Sequence, residues 1–258
     1  MRPDLEGRPA RVRALWRLYG QGASQLWRGA ARGESRLAPD AVLAMSGEPH
    51  IAFNFGVVDA GPDAERSLRD FVACLRERGL PGTVVLTDAT ADELAPAAHD
   101  LGLARAGACP LLARGVADPP HAPAAGFEVA RVADQDAAAD LTAVVSRAWS
   151  VPLALAARAL GGAPADAPGV DVFLARLEGA PVSVAVTTLT GASVGVWAVS
   201  TVPEQRRRGA AGAVMAALLR HHRAAAEVYL SASSASQGLY ERFGFETVAE
   251  GVVWRVEP

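Results

Sequence analysis

The chain has 258 residues, half of them apolar, so it can form one large domain or two of ordinary size. Its formal charge of −3 argues against a general nucleic-acid-binding protein, which would be basic. All 25 basic residues are arginine, which excludes a Schiff-base lysine and a P-loop. Cys74 and Cys109 are the only cysteines and form no cluster with histidine, so neither a metal site nor a disulfide framework is predicted. There is no apolar leader and no membrane-length apolar stretch, so we expect a cytoplasmic protein.

Residues 10–30 are predicted to form an amphipathic helix, because apolar side chains recur at helical spacing between arginines. The apolar stripe consists of Val12, Leu15, Trp16, Tyr19, Ala23, Leu26 and Trp27. A basic amphipathic helix can bind a membrane or an acidic partner, but Gly20 and Gly22 make this one a poor free helix. We expect the stripe to pack on its own domain.

The first half of the chain has the pattern of a β-α-β unit. An apolar strand is predicted around residues 50–58, a helix over about 64–78 and a second strand at 83–90. The next feature is ADPPHAPAAG, residues 117–126, where prolines remove hydrogen-bond donors and fix the backbone. This composition is typical of an extended linker. The predicted units are therefore residues 1–116 and 127–258, joined by this linker.

The second unit shows patterns in the order β-α-α-β-β-β-α-β-α-β-β, which predicts a mixed α/β sheet. A strand at 127–132 precedes alanine-rich helical sequence, which breaks near Pro152 and ends in a loop at 161–169. The remaining predicted elements are the strands VDVFLARL, APVSVAVTTL and Ala192–Thr201, a helix from Gly209, the strand EVYLSAS, a short helix at QGLYERF, and a final strand pair FETVAE and GVVWRVE.

The stretch QRRRGAAG, residues 205–212, lies between a predicted strand and a predicted helix. The start of a helix presents unpaired backbone N–H groups and a partial positive charge, so it attracts anions. Small residues at the end of the QRRRGAAG stretch let a ligand approach the backbone, and the three arginines of the stretch add positive charge. The pattern predicts a phosphate or pyrophosphate site; the alternative is an ordinary solvated basic helix start. A dinucleotide fingerprint is excluded, because G-x-G-x-x-G is absent.

Two segments resemble the signature of the GCN5-related N-acetyltransferase (GNAT) superfamily. Residues 199–219 are similar to its coenzyme-A-binding pattern V-x-P-x-x-[QR]-x-x-G-x-[GA], with Thr201 in place of valine. The matching positions are Pro203, Arg206, Gly209 and Ala211. LYERFGF, residues 239–245, resembles the L-Y-x-x-x-G-F segment that follows the superfamily's fifth strand. The resemblance covers residues 127–258 and implies the α/β acyl-CoA N-acyltransferase fold.

The first half resembles the second, which predicts two GNAT-like domains in tandem. TVVLTDAT at 83–90 is similar to EVYLSASS at 227–234. We call residues 205–212 the arginine loop. In its place the first half has DAGPDAE, residues 59–65, whose carboxylates would repel a pyrophosphate. We therefore interpret residues 1–116 as a degenerate GNAT-like domain that completes the fold or walls the acceptor pocket. The alternative is an unrelated α/β domain.

The resemblance implies direct transfer of an acetyl group from acetyl-CoA to an amine. The pyrophosphate would bind backbone N–H groups of the arginine loop, and the pantetheine arm would pair with the preceding strand edge, whose N–H groups would polarise the thioester carbonyl. Ser233 stands where many relatives have a coenzyme-contacting asparagine. The other residues that the resemblance assigns to the coenzyme are Val199, Ser200, Thr201, Arg206, Arg207, Arg208, Gly209, Ala210, Ala211 and Gly212.

Tyr240 matches the tyrosine that serves many relatives as general acid toward the departing thiolate. A phenol with a pKa of about 10 can donate a proton to a thiolate whose acid has a pKa of about 8.5. The alternative is a buried structural tyrosine. Trp149 and Trp197 either line the acceptor pocket or are ordinary core residues. No general base is readable, and His50 could reach the pocket only if the first domain packs across it.

The implied acceptor is a small-molecule amine, with no metal, nucleic acid or membrane as partner, and the chain is expected to be a monomer or a homodimer. Two other functions stay open. One is acyl transfer from a longer or carrier-bound acyl donor. The other is a non-catalytic GNAT-like protein that binds acyl-CoA.

Overall fold

The computed structural model describes residues 8–27, 30, 32–115, 126–132, 135–160 and 168–258. Of the predicted linker only Gly126 falls within these ranges, and of the predicted loop 161–169 only the last two residues do. Within the described residues, eleven strands form one mixed sheet flanked by helices, which confirms the predicted α/β class. None of the described helices has the length and the apolar character that crossing a membrane requires.

The first half begins with a long helix and continues with short strands. A 3₁₀ turn at Ile51–Phe53 takes up the start of the strand predicted at 50–58, and the strand predicted at 83–90 stops at Leu86, where a turn begins. The predicted helix over 64–78 is present, and it buries Leu68, Phe71 and Leu75. The elements are α1 (Arg8–Leu26), β1 (Glu34–Leu37), β2 (Ala41–Met45), β3 (Asn54–Val58), α2 (Ala64–Glu77), β4 (Gly82–Leu86), α3 (Ala91–Asp100) and β5 (Ala104–Gly115).

The second half follows the predicted order except at its end. The predicted pair of final strands is wrong, because residues 246–256 form one strand that stays paired across Glu250 and Gly251. A register shift between Thr247 and Ala249 absorbs the irregularity. The elements are β6 (Glu128–Val132), α4 (Gln135–Trp149), α5 (Leu153–Leu160), β7 (Val170–Leu177), β8 (Ala180–Thr190), β9 (Ser193–Thr201), α6 (Ala210–His221), β10 (Glu227–Ser231), α7 (Gln237–Glu241) and β11 (Glu246–Val256).

The two halves exchange strands at the centre of the sheet. The strand order is β1-β2-β3-β4-β11-β5-β10-β9-β8-β7-β6. Each half contributes one parallel pair, β3 with β4 and β9 with β10. The first half's β4 pairs with the second half's β11, and the second half's β10 pairs with the first half's β5. The pattern reverses about the antiparallel contact of β5 with β11, as expected for two copies of one unit related by an approximate two-fold axis.

Helix α1 packs its apolar stripe against the sheet, but on both halves and not only on its own domain as predicted. It lies on β2 and β3 of the first half and on β8 and β9 of the second. Trp16 and Tyr19 are buried on this face, and the Trp16 indole donates to Asp88 at 2.8 Å. The Tyr229 hydroxyl of β10 donates to the Leu18 carbonyl at 2.7 Å. The helix therefore bridges both halves.

Replacing Gly251 with alanine is expected to lower the free energy of unfolding of the whole chain by about 1–3 kcal/mol, the usual cost of overpacking. A Cβ atom at Gly251 would lie 2.7 Å from the Leu86 carbonyl oxygen and 2.9 Å from a methyl of Val85. Denaturant unfolding followed by circular dichroism and tryptophan fluorescence should show one transition at lower denaturant, because the halves share β5 and β11.

The control for this variant is Gly238→Ala in α7, where no atom lies within 4 Å of the added Cβ. It should change stability by less than about 1 kcal/mol. Two separate transitions, or unchanged stability in Gly251→Ala, would contradict the shared central strands.

Candidate active site

A slot opens in the sheet between β9 and β10. The two parallel strands pair only from Ser193–Gly195 to Glu227–Tyr229. Beyond this point β9 stays paired with β8 through Thr201, and its other edge has no strand partner among the described residues. A register shift opposite Val184 and Val186 marks a β-bulge, where Ala198 has a left-handed backbone with φ 49°. Backbone N–H groups on this edge can therefore pair with an extended ligand.

The arginine loop lies at the end of this slot. A 3₁₀ turn at Pro203–Gln205 leads into left-handed residues at Arg207 (φ 61°) and Gly209 (φ 96°). Gly209 is the N-cap of α6 and has no side chain to satisfy the N–H groups of the first turn. A Cβ at Gly212 would meet no atom within 4 Å, so the backbone is open to a ligand there. The geometry suits an anion at the helix start.

The three arginines of the loop have different contacts. Arg206 donates from Nε to the Thr201 carbonyl at 3.2 Å and from an Nη to the Ala148 carbonyl at 2.9 Å. Its guanidinium thus joins the loop to the ends of β9 and α4. Arg208 donates to the Gln205 side chain at 2.6 Å. The exposed backbone N–H groups, together with the positive charge around them, are the part of the loop free to meet a phosphate.

The strand edge and the turn after β10 hold the other predicted coenzyme contacts. Val199 and Thr201 are half-buried, whereas Ser200 is buried and its Oγ has no hydrogen-bond partner in the described part of the chain. The Ser200 carbonyl accepts from the Ser183 hydroxyl at 2.8 Å. Ser233 is exposed, and its carbonyl accepts from the backbone N–H groups that begin α7. Its role toward the coenzyme stays a prediction.

Tyr240 lies in α7 and is buried, with its ring 6.0 Å from that of Phe245. No other described residue forms a hydrogen bond with its hydroxyl. Burial disfavours the phenolate and raises the pKa of Tyr240 to about 12. The side chain is therefore a neutral proton donor at physiological pH.

Trp149 and Trp197, the two tryptophans predicted to line the acceptor pocket, border one cavity of about 140 Å³ at the bulge. Trp197 and Ala198 form its wall on β9, and Trp149 closes it from the end of α4. The first half supplies further walls, including Tyr19 and Trp27 from the region of α1. Tyr19 stacks on Trp197 with ring centroids 4.8 Å apart. Both halves of the chain therefore form this cavity.

His50 and the two histidines at the end of α6 have separate environments. His50 lies next to Ala52, a rim residue of the cavity, and its Nδ1 accepts from the Ala52 N–H at 3.3 Å. Burial lowers the pKa of His50, so its ring is neutral at pH 7. His221 and His222 lie at the far end of α6 from the arginine loop. Burial lowers the pKa of His222 to about 4, so this ring adds no charge to the helix end.

The two C-terminal histidines of α6 also form a group with Asp171. Their nitrogen atoms lie 3.6 Å and 3.5 Å from one Asp171 carboxylate oxygen. The three ligand atoms lie within 4.8 Å of one another, and the sequence did not predict this grouping. His222 also forms a 2.9 Å hydrogen bond with Thr187.

The corresponding position in the first half is closed in two ways. Strands β3 and β4 pair continuously from Phe55–Val58 to Thr83–Leu86, so no slot separates them. At the start of α2, the buried Asp40 carboxylate accepts from the Asp63 N–H at 2.9 Å and from the Ser67 hydroxyl at 3.1 Å. Asp59 is one of the carboxylates predicted to repel a pyrophosphate. In the structure its side chain accepts a hydrogen bond from the Thr87 hydroxyl. An internal carboxylate thus occupies the place where an anion would bind.

Sequence reasoning missed several of these residues. Tyr19 and Trp27 belong to the apolar stripe of α1, which predicts burial but does not distinguish a cavity wall from a core. Asp40 precedes β2 and has no motif around it. The bulge at Ala198 has no signal in the residue types of β9, since alanine rarely adopts a positive φ.

Comparison with known proteins agrees with this geometry. Residues 168–247 match the family model described as the acetyltransferase (GNAT) domain. Among solved structures, a GCN5-related N-acetyltransferase from Kribbella flavida is 22% identical with a TM-score of 0.65, and the match covers 92% of this chain and 94% of that one. A counterpart from Sphaerobacter thermophilus is 18% identical with a TM-score of 0.59, covering 86% and 82%.

A tandem GNAT protein from the clavulanic acid biosynthesis pathway is 15% identical with a TM-score of 0.55, and the match covers 99% of this chain and 96% of that one. None of the curated proteins searched matches the sequence. The fold is that of these GNAT-type structures. Residues 168–247 are therefore similar to the GNAT domain, and the whole chain shares its fold with the tandem GNAT protein.

Proposed function

We propose that the protein is an N-acetyltransferase that transfers an acetyl group directly from acetyl-CoA to a small-molecule amine. The observation that carries this proposal is the slot of the second half, open along β9 and ending at the uncapped start of α6. The described residues of the first half have neither feature, which supports one coenzyme site per chain.

In this mechanism the backbone N–H groups from Arg207 to Gly212 bind the pyrophosphate, and Arg206 holds the loop in place from behind. The edge at Val199–Thr201 binds the pantetheine arm as an added strand. Backbone N–H groups at the bulge polarise the thioester carbonyl as the tetrahedral oxyanion develops.

Tyr240 donates its proton to the thiolate as the carbon–sulfur bond breaks. Its raised pKa keeps it protonated, and its hydroxyl is not engaged by other described groups. The amine enters the site neutral, or its ammonium form first loses a proton to water. The proton that the nitrogen then releases on becoming an amide is passed to solvent, and solvent returns a proton to Tyr240. The described lining residues of the cavity include no carboxylate and no histidine, which favours a neutral amine.

A thiol-release assay combined with thermal unfolding tests the proposal. Acetyl-CoA should raise the melting temperature, and free thiol should appear only when an accepted amine from a panel is added. Stabilisation by acetyl-CoA without thiol release from any amine would instead favour the non-catalytic binder. Thiol release with longer acyl-CoA donors and not with acetyl-CoA would favour the alternative of transfer from a longer acyl donor. If acetyl-CoA gives no stabilisation and no amine gives thiol release, the coenzyme site is contradicted.

A further inference from the structure

The cavity at the bulge has a lining that is unusual for a protein that acts on amines. Its aromatic walls are Tyr19, Trp27, Phe55, Trp149 and Trp197. The other described lining residues are alanine, leucine and valine, so no carboxylate faces the cavity to pair with an ammonium group. A charged group entering this space would lose its hydration without gaining a counter-ion.

The size of the cavity restricts what it holds. Its volume is about 140 Å³, whereas a dry apolar cavity of about 150 Å³ accommodates one benzene ring. Trp197 and Ala198, at the bulge, form one wall, so the occupant lies beside the strand edge proposed for the thioester. An acetyl group alone would leave most of this space unfilled.

Among the buried polar atoms of the lining residues, the indole nitrogen of Trp27 lacks a partner within the described part of the chain. The Trp27 indole Nε1 is buried and forms no hydrogen bond within the described chain, whereas the Trp197 indole donates to Thr188 at 2.8 Å. A buried donor without an acceptor is destabilising unless a ligand supplies one. A hydrocarbon acyl chain has no such atom beyond its thioester carbonyl, whereas an amine substrate with an oxygen near its ring does.

We infer that this cavity binds the uncharged, ring-sized apolar group of the amine acceptor, and that Trp27 donates a hydrogen bond to an oxygen on or next to that group. The inference rests on the proposed acetyltransferase function and names its substrate class. The first half, which lacks a coenzyme site of its own, thereby determines which amine is accepted.

The test compares acceptors that differ only in the side group: alaninamide, phenylalaninamide and lysinamide, with phenethylamine as an oxygen-free ring. Thiol release with acetyl-CoA should give a kcat/KM for phenylalaninamide at least about 10-fold above those for alaninamide and lysinamide. Equal values for all three, or a preference for lysinamide, would overturn the inference.

Two variants probe the cavity itself. Ala23→Leu adds bulk to a buried lining residue and should lower kcat/KM for phenylalaninamide about 10-fold. Val186→Ile adds a single methylene from the sheet side and should have a smaller effect of the same sign. Ala14→Leu, on an exposed position of the same helix, is the matched control and should change nothing.

Trp27→Phe removes the indole donor and keeps an aromatic ring. It should raise the KM for phenylalaninamide roughly 3- to 10-fold, the range expected for one hydrogen bond, and leave that for phenethylamine unchanged. An equal rise for both amines would show a packing effect and overturn the hydrogen bond. If the variants alter selectivity among acyl-CoA donors and not among amines, the cavity holds the acyl chain and the assignment to the acceptor is wrong.

Direct binding separates this inference from the proposed reaction. Benzyl alcohol, a ring with one oxygen, should give saturation-transfer NMR signals with the wild-type protein that Ala23→Leu abolishes. Binding without thiol release from any amine would leave the cavity assignment standing while the reaction fails. Thiol release without benzyl alcohol binding and without a ring preference would leave the reaction standing and overturn the cavity.

Discussion

Replacement of Gly212 by glutamate is expected to weaken acetyl-CoA binding by on the order of 100-fold while leaving the fold intact. Gly212 is the third residue of α6, with open space where its Cβ would lie. A glutamate near a helix start is favourable for the helix itself, because it interacts with the N-terminal end of the dipole. The same carboxylate would occupy the region proposed for the pyrophosphate and repel it.

Isothermal titration with acetyl-CoA and thermal unfolding without ligand would measure both effects. Gly212→Gln is the matched control, since it has the same shape without the charge, and should weaken binding far less. The substitution reproduces what Asp40 does at the start of α2 in the first half. Equal affinities of Gly212→Glu and wild type would contradict the pyrophosphate site.

Tyr240→Phe is expected to lower kcat by on the order of 10²-fold, with the affinity for acetyl-CoA unchanged. The variant removes the proposed proton donor and little else, because the hydroxyl has no partner among the described residues. Its melting temperature should therefore match that of the wild type, which a structural hydroxyl would not allow.

Tyr229→Phe provides the contrasting control. The Tyr229 hydroxyl donates to the Leu18 carbonyl, so its loss should cost about 1 kcal/mol of stability with kcat changed only a few-fold. The pH profile adds a further check: with a pKa of about 12, Tyr240 stays protonated and should give no alkaline loss of activity below pH 10. Full activity of Tyr240→Phe would remove this residue from the mechanism.

The sequence predicts those features that depend on local patterns. Alternating valines give β8, the helical spacing after Gly209 gives α6, and the small residues of the arginine loop indicate an anion site at its start. Each is a preference of a few consecutive residues. Their order along the chain was enough to predict most of the second half.

The features that were missed depend on contacts between distant segments. Nothing in the residues of β11 indicates that it pairs with β4 and β5, because such pairing is set by the packing of both halves. The cavity has the same origin, since α1 and the end of α4 both border it. Asp40 reaches the start of α2 only once β2 and β3 are paired.

The exchange of central strands also affects how the chain is made. During synthesis the first half emerges first, yet β4 and β5 lack the strand that separates them until β11 is complete. Until then β4 and β5 present open edges, which favour pairing with other chains. The central sheet therefore stays incomplete until the last strand has been synthesised. Folding of the first half depends on that last strand of the second half.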